Sequence, residues 1–350
     1  MMVFNLGWKY IPPTPARHVP NQHFYFETTG FVLQSFVTSH HYVSLTLTSF
    51  TMAASHALDV WPFITQYTPT PSSPVRLRQI ALVSSNANHA GALLTRCLGT
   101  PVIYKDPAVA QWGLQNILLA LGGDILEVVS PTQPNTSAGR LLDKHGEGGY
   151  MVILQCEDAR LQRGMIGERG LARVVYGHER SGVVCTQFHP KDVAGGVMVE
   201  LDSMPAIEDN PSPLQTRISP WHACGDGWTW YRMGMQKSWH LHLVGAVLRL
   251  APGDQDVERA SAQWEEIFGI PRSGNMLAFT NARIAFVKGQ EDEREGLVSI
   301  TVGVEGRQKF EAILDYASTN GLCGDGWINM VGIKWFFILL DEVDAQRSKL

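Results

Sequence analysis

One order of local signals recurs along residues 75–340, and no other feature limits the fold of this chain as strongly. A short apolar strand is followed by a one-sided helix and then by further short strands. The first round has a strand over 77–83, a helix over 86–98 closed near Gly99, and strands over 102–104, 114–121 and 124–129. Gly122-Gly123 supplies the turn between the last two. The second round has a strand over 150–155, a helix over 159–169, and strands over 171–176, 182–189 and 196–201. In the third, a strand over 243–250 precedes a helix over 256–268, whose Val257, Ala260, Trp264 and Ile267 share one face, and strands over 276–280 and 283–287 follow. The fourth has a strand over 297–304, a helix over 307–319, and strands over 327–330 and 332–340. Four βαβββ units in one chain point to duplication, because a unit this small cannot bury its apolar face alone. The expected class is α+β with mixed sheets.

Composition narrows the function classes. With 350 residues the chain is long enough for two ordinary domains, and 45% hydrophobic content describes a globular protein. The net charge of -5 and the absence of any Lys/Arg block argue against nucleic acid or an anionic membrane surface as partner. No apolar run reaches the roughly 18 to 20 residues of a membrane helix. The five cysteines (Cys97, Cys156, Cys185, Cys224 and Cys323) include no C-x-x-C pair, so they read as reduced, mostly buried thiols.

The two ends differ from the middle. Residues 1–58 hold one acidic residue, Glu27, and two basic ones, Lys9 and Arg17, and match neither a signal nor a transit peptide. We read 1–74 as a poorly ordered extension, with Met52 as an alternative start and 68–74 as a loop-like approach to the first domain. Residues 75–205 form the first domain, 206–237 a connector rich in Pro, Trp and Gly, 238–342 the second domain, and 343–350 a tail. The chain ends Ser348-Lys349-Leu350, a receptor-read address that predicts peroxisomal localisation and an import receptor as partner. The pentapeptide C-G-D-G-W occurs at 224–228 and 323–327 and is read as turn chemistry. Trp221, Trp228, Trp230 and Trp239 cluster in or beside the connector and are expected to pack between domains.

Three stretches carry a resemblance: I-L-E-V-V-S-P at 125–131, L-L-D-K-H-G-E-G-G-Y-M-V-I-L-Q-C-E-D at 141–158, and F-H-P-K-D-V-A-G-G-V-M-V-E-L at 188–201. Through them, residues 75–205 resemble the vicinal oxygen chelate (glyoxalase-like) superfamily, with spacing most similar to the methylmalonyl-CoA epimerase type. The resemblance implies tandem domains in which paired βαβββ units curl into a cupped sheet. It also implies four inward positions that chelate a divalent ion, here Gln79, Glu127, Met151 and Glu200. The first and third are usually His in the family. Two carboxylates and an amide oxygen (Glu127, Glu200, Gln79) could hold Mg2+ or Mn2+, whereas the Met151 thioether is a poor donor to such ions. The family's additional acid falls at Asn116, which cannot abstract a proton. The matching positions of the second domain, Ala285, Ser299 and Phe336, lack ligand character, and His240 and His242 are placed just before its first strand. That domain is expected to be a structural partner that covers the first cup or forms an interface.

Two functions of different class remain open on these residues. One is an isomerase- or lyase-like enzyme acting on a small or CoA-linked carbonyl compound, with Glu127 and Glu200 as acid and base and Gln79, Asn116 and Met151 contacting substrate. The other is a small-molecule-binding protein that keeps the cup and has lost the metal site. Ring-cleaving dioxygenase chemistry needs two His and one carboxylate at iron, and that triad is absent.

Overall fold

A computed structural model describes residues 64–208, 210 and 212–340. The expectations for residues 1–63 and for Ser348-Lys349-Leu350 lie outside the described residues.

The first unit runs β1 (Val75–Val83), α1 (Ala87–Leu98), β2 (Val102–Tyr104), a 3-10 helix (Pro107–Trp112), β3 (Leu114–Leu121) and β4 (Asp124–Pro131). Asn86 starts α1 by accepting from the His89 N–H, and Gly99 ends it in the left-handed conformation at φ 64°. Helix α2 (Ser137–His145) leads into the second unit: β5 (Gly148–Cys156), α3 (Ala159–Glu168), β6 (Val174–Arg180), β7 (Val183–Phe188) and β8 (Met198–Ser203). The strands form one sheet in the order β2-β3-β4-β1-β5-β8-β7-β6. Pairing is parallel for β1 with β4 and for β5 with β8, and antiparallel for β1 with β5, so the two units meet back to back at the centre.

Past the connector the plan repeats. After α4 (Trp228–Lys237) come β9 (Leu241–Arg249), α5 (Val257–Phe268), β10 (Arg272–Ser273), β11 (Met276–Ala278) and β12 (Arg283–Val287). The last unit is β13 (Gly296–Glu305), α6 (Arg307–Thr319), β14 (Ile328–Met330) and β15 (Ile333–Leu340). The second sheet has the order β10-β11-β12-β9-β13-β15-β14, again with two parallel pairs joined antiparallel. This fourth unit shows two strands after its helix, so it is βαββ. Cys323 there makes only an isolated bridge to Ile328.

One continuous apolar layer unites the chain. It takes Ile80, Leu82 and Val152 from the first sheet and Ala246, Leu248 and Ile300 from the second. Between them lie Leu94 of α1, Ile166 of α3, Trp264 and Phe268 of α5, and Ile313 of α6. The Trp264 indole N–H donates to Ala194 O, and Asn281 brackets the Leu77 backbone while donating to Asp124 Oδ2. The second domain therefore meets the first through its helical face, which leaves the mouth of the first cup to another segment.

Three local expectations are corrected. The second-unit hairpin turns at Ser181-Gly182 (φ 52° and 81°), so β6 covers Val174–Arg180 in place of 171–176. It is an exposed edge strand, and it includes His178-Glu179-Arg180, which the sequence assigned to no element. Strand β9 begins at Leu241, which puts His242 inside it, buried, with Nε2 2.7 Å from Glu305 Oε1. Part of the connector is helical: α4 lacks a side-chain N-cap and follows Gly227, so the usual start signal is missing. In addition, residues 64–74, read in sequence as part of the extension, lie on the second sheet. Ile64 fills the space a Cβ on Gly245 would need, and Thr70 accepts from Arg283.

Candidate functional site

A strand alternates faces, and a bulge breaks the alternation. The pairing of β1 with β5 shifts between Leu77 and Gln79. Leu77 and Ile80 join the apolar layer, while Arg78 and Gln79 both reach the opposite, concave face. That face is the cup. Its apolar floor is Ala81, Leu118, Ala120, Ile125, Met151 and Ile153.

Two carboxyl groups stand on this floor in different settings. On β4, Glu127 Oε2 accepts from Gln79 Nε2 at 2.8 Å, and Oε1 accepts from Asn116 Nδ2 at 2.6 Å. Neither amide is free to turn. Gln79 Oε1 already accepts from the Trp221 indole N–H at 2.8 Å, and Asn116 Oδ1 accepts from the Asp106 backbone N–H at 2.9 Å. The chain of donors thus points one way, and both oxygens of Glu127 are acceptors. Burial still dominates and raises the Glu127 pKa to about 7, with the Asn116 and Gln79 donors and the Glu200 charge as smaller, opposing influences.

On β8, Glu200 and Asp202 lie two residues apart and so share a face. Gln187 Nε2, opposite on β7, donates to Glu200 Oε2 at 2.6 Å. Burial first, then the Asp202 carboxyl, raises the Glu200 pKa to about 8. Asp202 is raised by burial as well, and its Oδ2 lies 2.6 Å from Nε2 of His222, a ring whose own pKa burial lowers. Cys185 pairs with Asp202 across the strands, and ligand atoms of Cys185, Glu200 and Asp202 lie within 4.8 Å of one another.

Trp221 and His222 come from the connector, which closes the cup. Trp221 is 0% exposed and packs with Cys224, Tyr231 and Met235 against the floor. Its backbone N–H donates to the Tyr231 hydroxyl, and Arg78, fully buried, places its guanidinium over the Trp221 ring and donates to Ser219 O. The path is fitted to the sheet: a Cβ on Gly123 would meet Arg217 O at 1.7 Å, so only glycine lets the connector cross the β3–β4 turn. The repeated pentapeptide splits accordingly. Cys224 is buried in the cup, with Gly225 in the left-handed region against Tyr104, whereas Cys323 is exposed. Beside the cup, a cleft of about 260 Å³ at the β3 edge is lined by Asn88, Lys105, Asp106, Gln115 and Asn116.

Gln79, Asn116, Glu127, Met151 and Glu200 therefore lie on the sheet that forms the cup, four of them joined to one another or to a neighbouring amide by hydrogen bonds. The four positions implied to chelate a metal do not fit a hard divalent ion. Gln79 Oε1 is held by Trp221, both Glu127 oxygens are held by amides, and Met151 offers a thioether. Sequence reading missed Cys185, Gln187 and Asp202, although period-two alternation from Glu200 points at Asp202 directly. Trp221, expected to pack between domains, lies instead on the cup floor against Gln79, Trp230 is exposed, and His222 carried no signal, because their place depends on the route of the connector.

No protein-family model and no curated protein matches the chain. Among solved structures, a Streptomyces coelicolor methylmalonyl-CoA epimerase in complex with 2-nitronate-propionyl-CoA is 24% identical, with 37% of this chain covering 98% of that one at a TM-score of 0.34. The epimerase from Mycobacterium tuberculosis gives 23% identity, 39% and 93% coverage, and 0.35. A variant of 4-hydroxymandelate synthase from Streptomyces coelicolor is 16% identical, over 70% of this chain and 75% of that chain, at 0.50. That last alignment extends past either sheet alone. With two sheets of one strand order, the chain has the tandem fold of the vicinal oxygen chelate superfamily.

Proposed function

We propose that this chain is an acid–base catalyst of isomerase or lyase type acting on a small or CoA-linked carbonyl compound, with Glu127 as the proton acceptor and Glu200 as its acid partner. The carrying observation is the one-way chain of donors that ends on Glu127, with the orientation of Gln79 and Asn116 set by Trp221 and by the Asp106 backbone. Such an arrangement stabilises the carboxylate in an apolar cup, where a base is strong because it is poorly solvated. The Asp202 carboxyl beside Glu200 favours the protonated form of that group, so the two glutamates are suited to opposite roles. Proton removal next to a carbonyl leaves an enolate, and return of the proton to the same or a neighbouring carbon gives epimerisation or isomerisation.

Exchange of substrate α-protons for deuterium tests this directly. A panel of acyl-CoA thioesters, 2-oxo acids and small ketones is incubated in D2O with the chain and followed by NMR. Exchange of at least one compound that falls by on the order of 100-fold or more in Glu127→Gln supports the reading. Exchange equal in both proteins, or none in any compound, refutes it.

A second reading, a small-molecule-binding protein without catalysis, is favoured by the close seating of Trp221. Binding that quenches tryptophan fluorescence, with no exchange in any compound, would establish it. For localisation, the C-terminal Ser348-Lys349-Leu350 supports peroxisomal import through its receptor as a further part of the proposal.

A further inference from the structure

The carboxyl-rich side of the cup contains a second constellation that the acid–base reading does not use in full. We propose that Cys185, Glu200 and Asp202 form a site for one divalent cation of the zinc class, with His222 and Gln187 orienting its carboxylates. The site is displaced from the four implied chelating positions toward the β7–β8 edge and keeps only Glu200 in common with them.

Geometry carries the inference. The three ligand atoms already lie within 4.8 Å of one another, on adjacent strands whose register sets Cys185 opposite Asp202 and Gln187 opposite Glu200. Tetrahedral zinc with sulfur at about 2.3 Å and oxygen at about 2.0 Å separates its donors by roughly 3.3–3.5 Å, so small side-chain rotations close the set. A second observation points the same way: Asp202 is 0% exposed, its Oδ1 makes no hydrogen bond of good geometry among the described residues, and its neighbours besides His222 are the Thr186 N–H and the two other ligand side chains, Glu200 and Cys185. A buried carboxylate oxygen left this way is costly, and a cation removes the cost.

The surrounding shell has the form that metal carboxylates use. One Asp202 oxygen is tied to His222 Nε2 at 2.6 Å, which leaves Oδ1 for the ion. Gln187 holds Glu200 Oε2 at 2.6 Å and leaves the other oxygen. Outer partners of this kind fix ligand orientation. The donor set selects the metal: a thiolate with carboxylates suits zinc, while Mg2+ and Ca2+ avoid sulfur. A dication also offsets the charges that a thiolate and two carboxylates would otherwise hold in a buried place. With the ion bound, Glu200 is a ligand and Glu127 is left as the cup's proton acceptor. The inference stands apart from the acid–base reading, because metal titration reads binding alone and the exchange assay, repeated on chelator-treated protein, reads Glu127 without the ion.

The test uses the full chain, stripped with chelator and titrated with Zn2+ and with Co2+ as a coloured substitute. One equivalent is expected, with an intense thiolate-to-cobalt charge-transfer band in the near ultraviolet. Cys185→Ser should abolish that band, and Asp202→Asn should weaken binding by on the order of 100-fold. Glu127→Gln should leave affinity within about threefold, since that residue lies outside the ligand set. Should Cys185→Ser fail to fold, the cobalt band of the wild-type chain and the Asp202→Asn affinity still decide. No binding by folded protein, cobalt bound without a thiolate band, or binding removed by Glu127→Gln and retained in Asp202→Asn each overturns the proposal.

Discussion

Replacing Glu127 by Gln should stabilise the chain above neutral pH, by an amount the cup itself sets. Glu127 is held at about 7, against 4.5 for the free side chain, chiefly by burial. At 1.36 kcal/mol per pH unit, ionising it in the folded chain costs about 3 kcal/mol. The sign follows from linkage. Because the folded pKa is raised, the contribution of Glu127 to stability is full below about pH 4.5. It falls as pH rises toward 7, where the unfolded state has already released the proton. Gln matches the shape of protonated Glu and never ionises, so its stability lacks this slope. Urea denaturation at pH 5.5, 7.0 and 8.5 makes the comparison. The variant should lead by about 1 kcal/mol at the lowest pH, where the unfolded side chain is already ionised, and by about 3 kcal/mol at the highest. A variant weaker than wild type at pH 8.5 would refute the reasoning, because it would mean that the Gln79 and Asn116 donors outweigh burial and hold the carboxylate comfortably.

Other expectations are simpler to check. Trp221→Ala should cost about 3–5 kcal/mol, since a fully buried indole packed on the cup floor is lost along with its bond to Gln79. The space it leaves should admit small aromatic compounds that raise the melting temperature of the variant and not of the wild type. Of the five cysteines, Cys323 alone is exposed, so a thiol reagent should titrate one group quickly in the folded chain and five after unfolding. A fluorescent fusion that leaves the C-terminus free should be punctate, and deletion of Ser348-Lys349-Leu350 should make it diffuse; two diffuse patterns would dismiss the address.

The second site separates two pictures of the same residues. Without a cation, the Glu200 and Asp202 carboxyls retain a proton between them because burial and mutual repulsion disfavour two charges. With one, the proton is displaced by metal. Elemental analysis and the deuterium assay report on these states independently.

Local patterns in the chain were enough for most elements. Asn86 and Asp256 start helices and Gly99 and Gly269 end them where capping chemistry says they should, because a cap depends on a few neighbouring residues. The repeated strand–helix–strand order, with Gly122-Gly123 at a turn, was sufficient for duplication and mixed sheets, while the cupped form came from the resemblance. The resemblance of 75–205 implied Gln79, Glu127, Met151 and Glu200 as positions on four strands, and all four lie on strands of the first sheet. What surrounds those residues was decided only in three dimensions. A register shift at Leu77/Gln79 turned Arg78 into the cup, and a glycine at 123 let the connector cross above it. Trp221 then came to rest on Gln79, some 140 positions away in the chain. Its indole N–H fixed the amide, the amide fixed the acceptor role of Glu127, and His222 was brought to Asp202 by the same crossing. Contacts of that range carry no periodicity, because they arise from packing one irregular segment against a curved sheet.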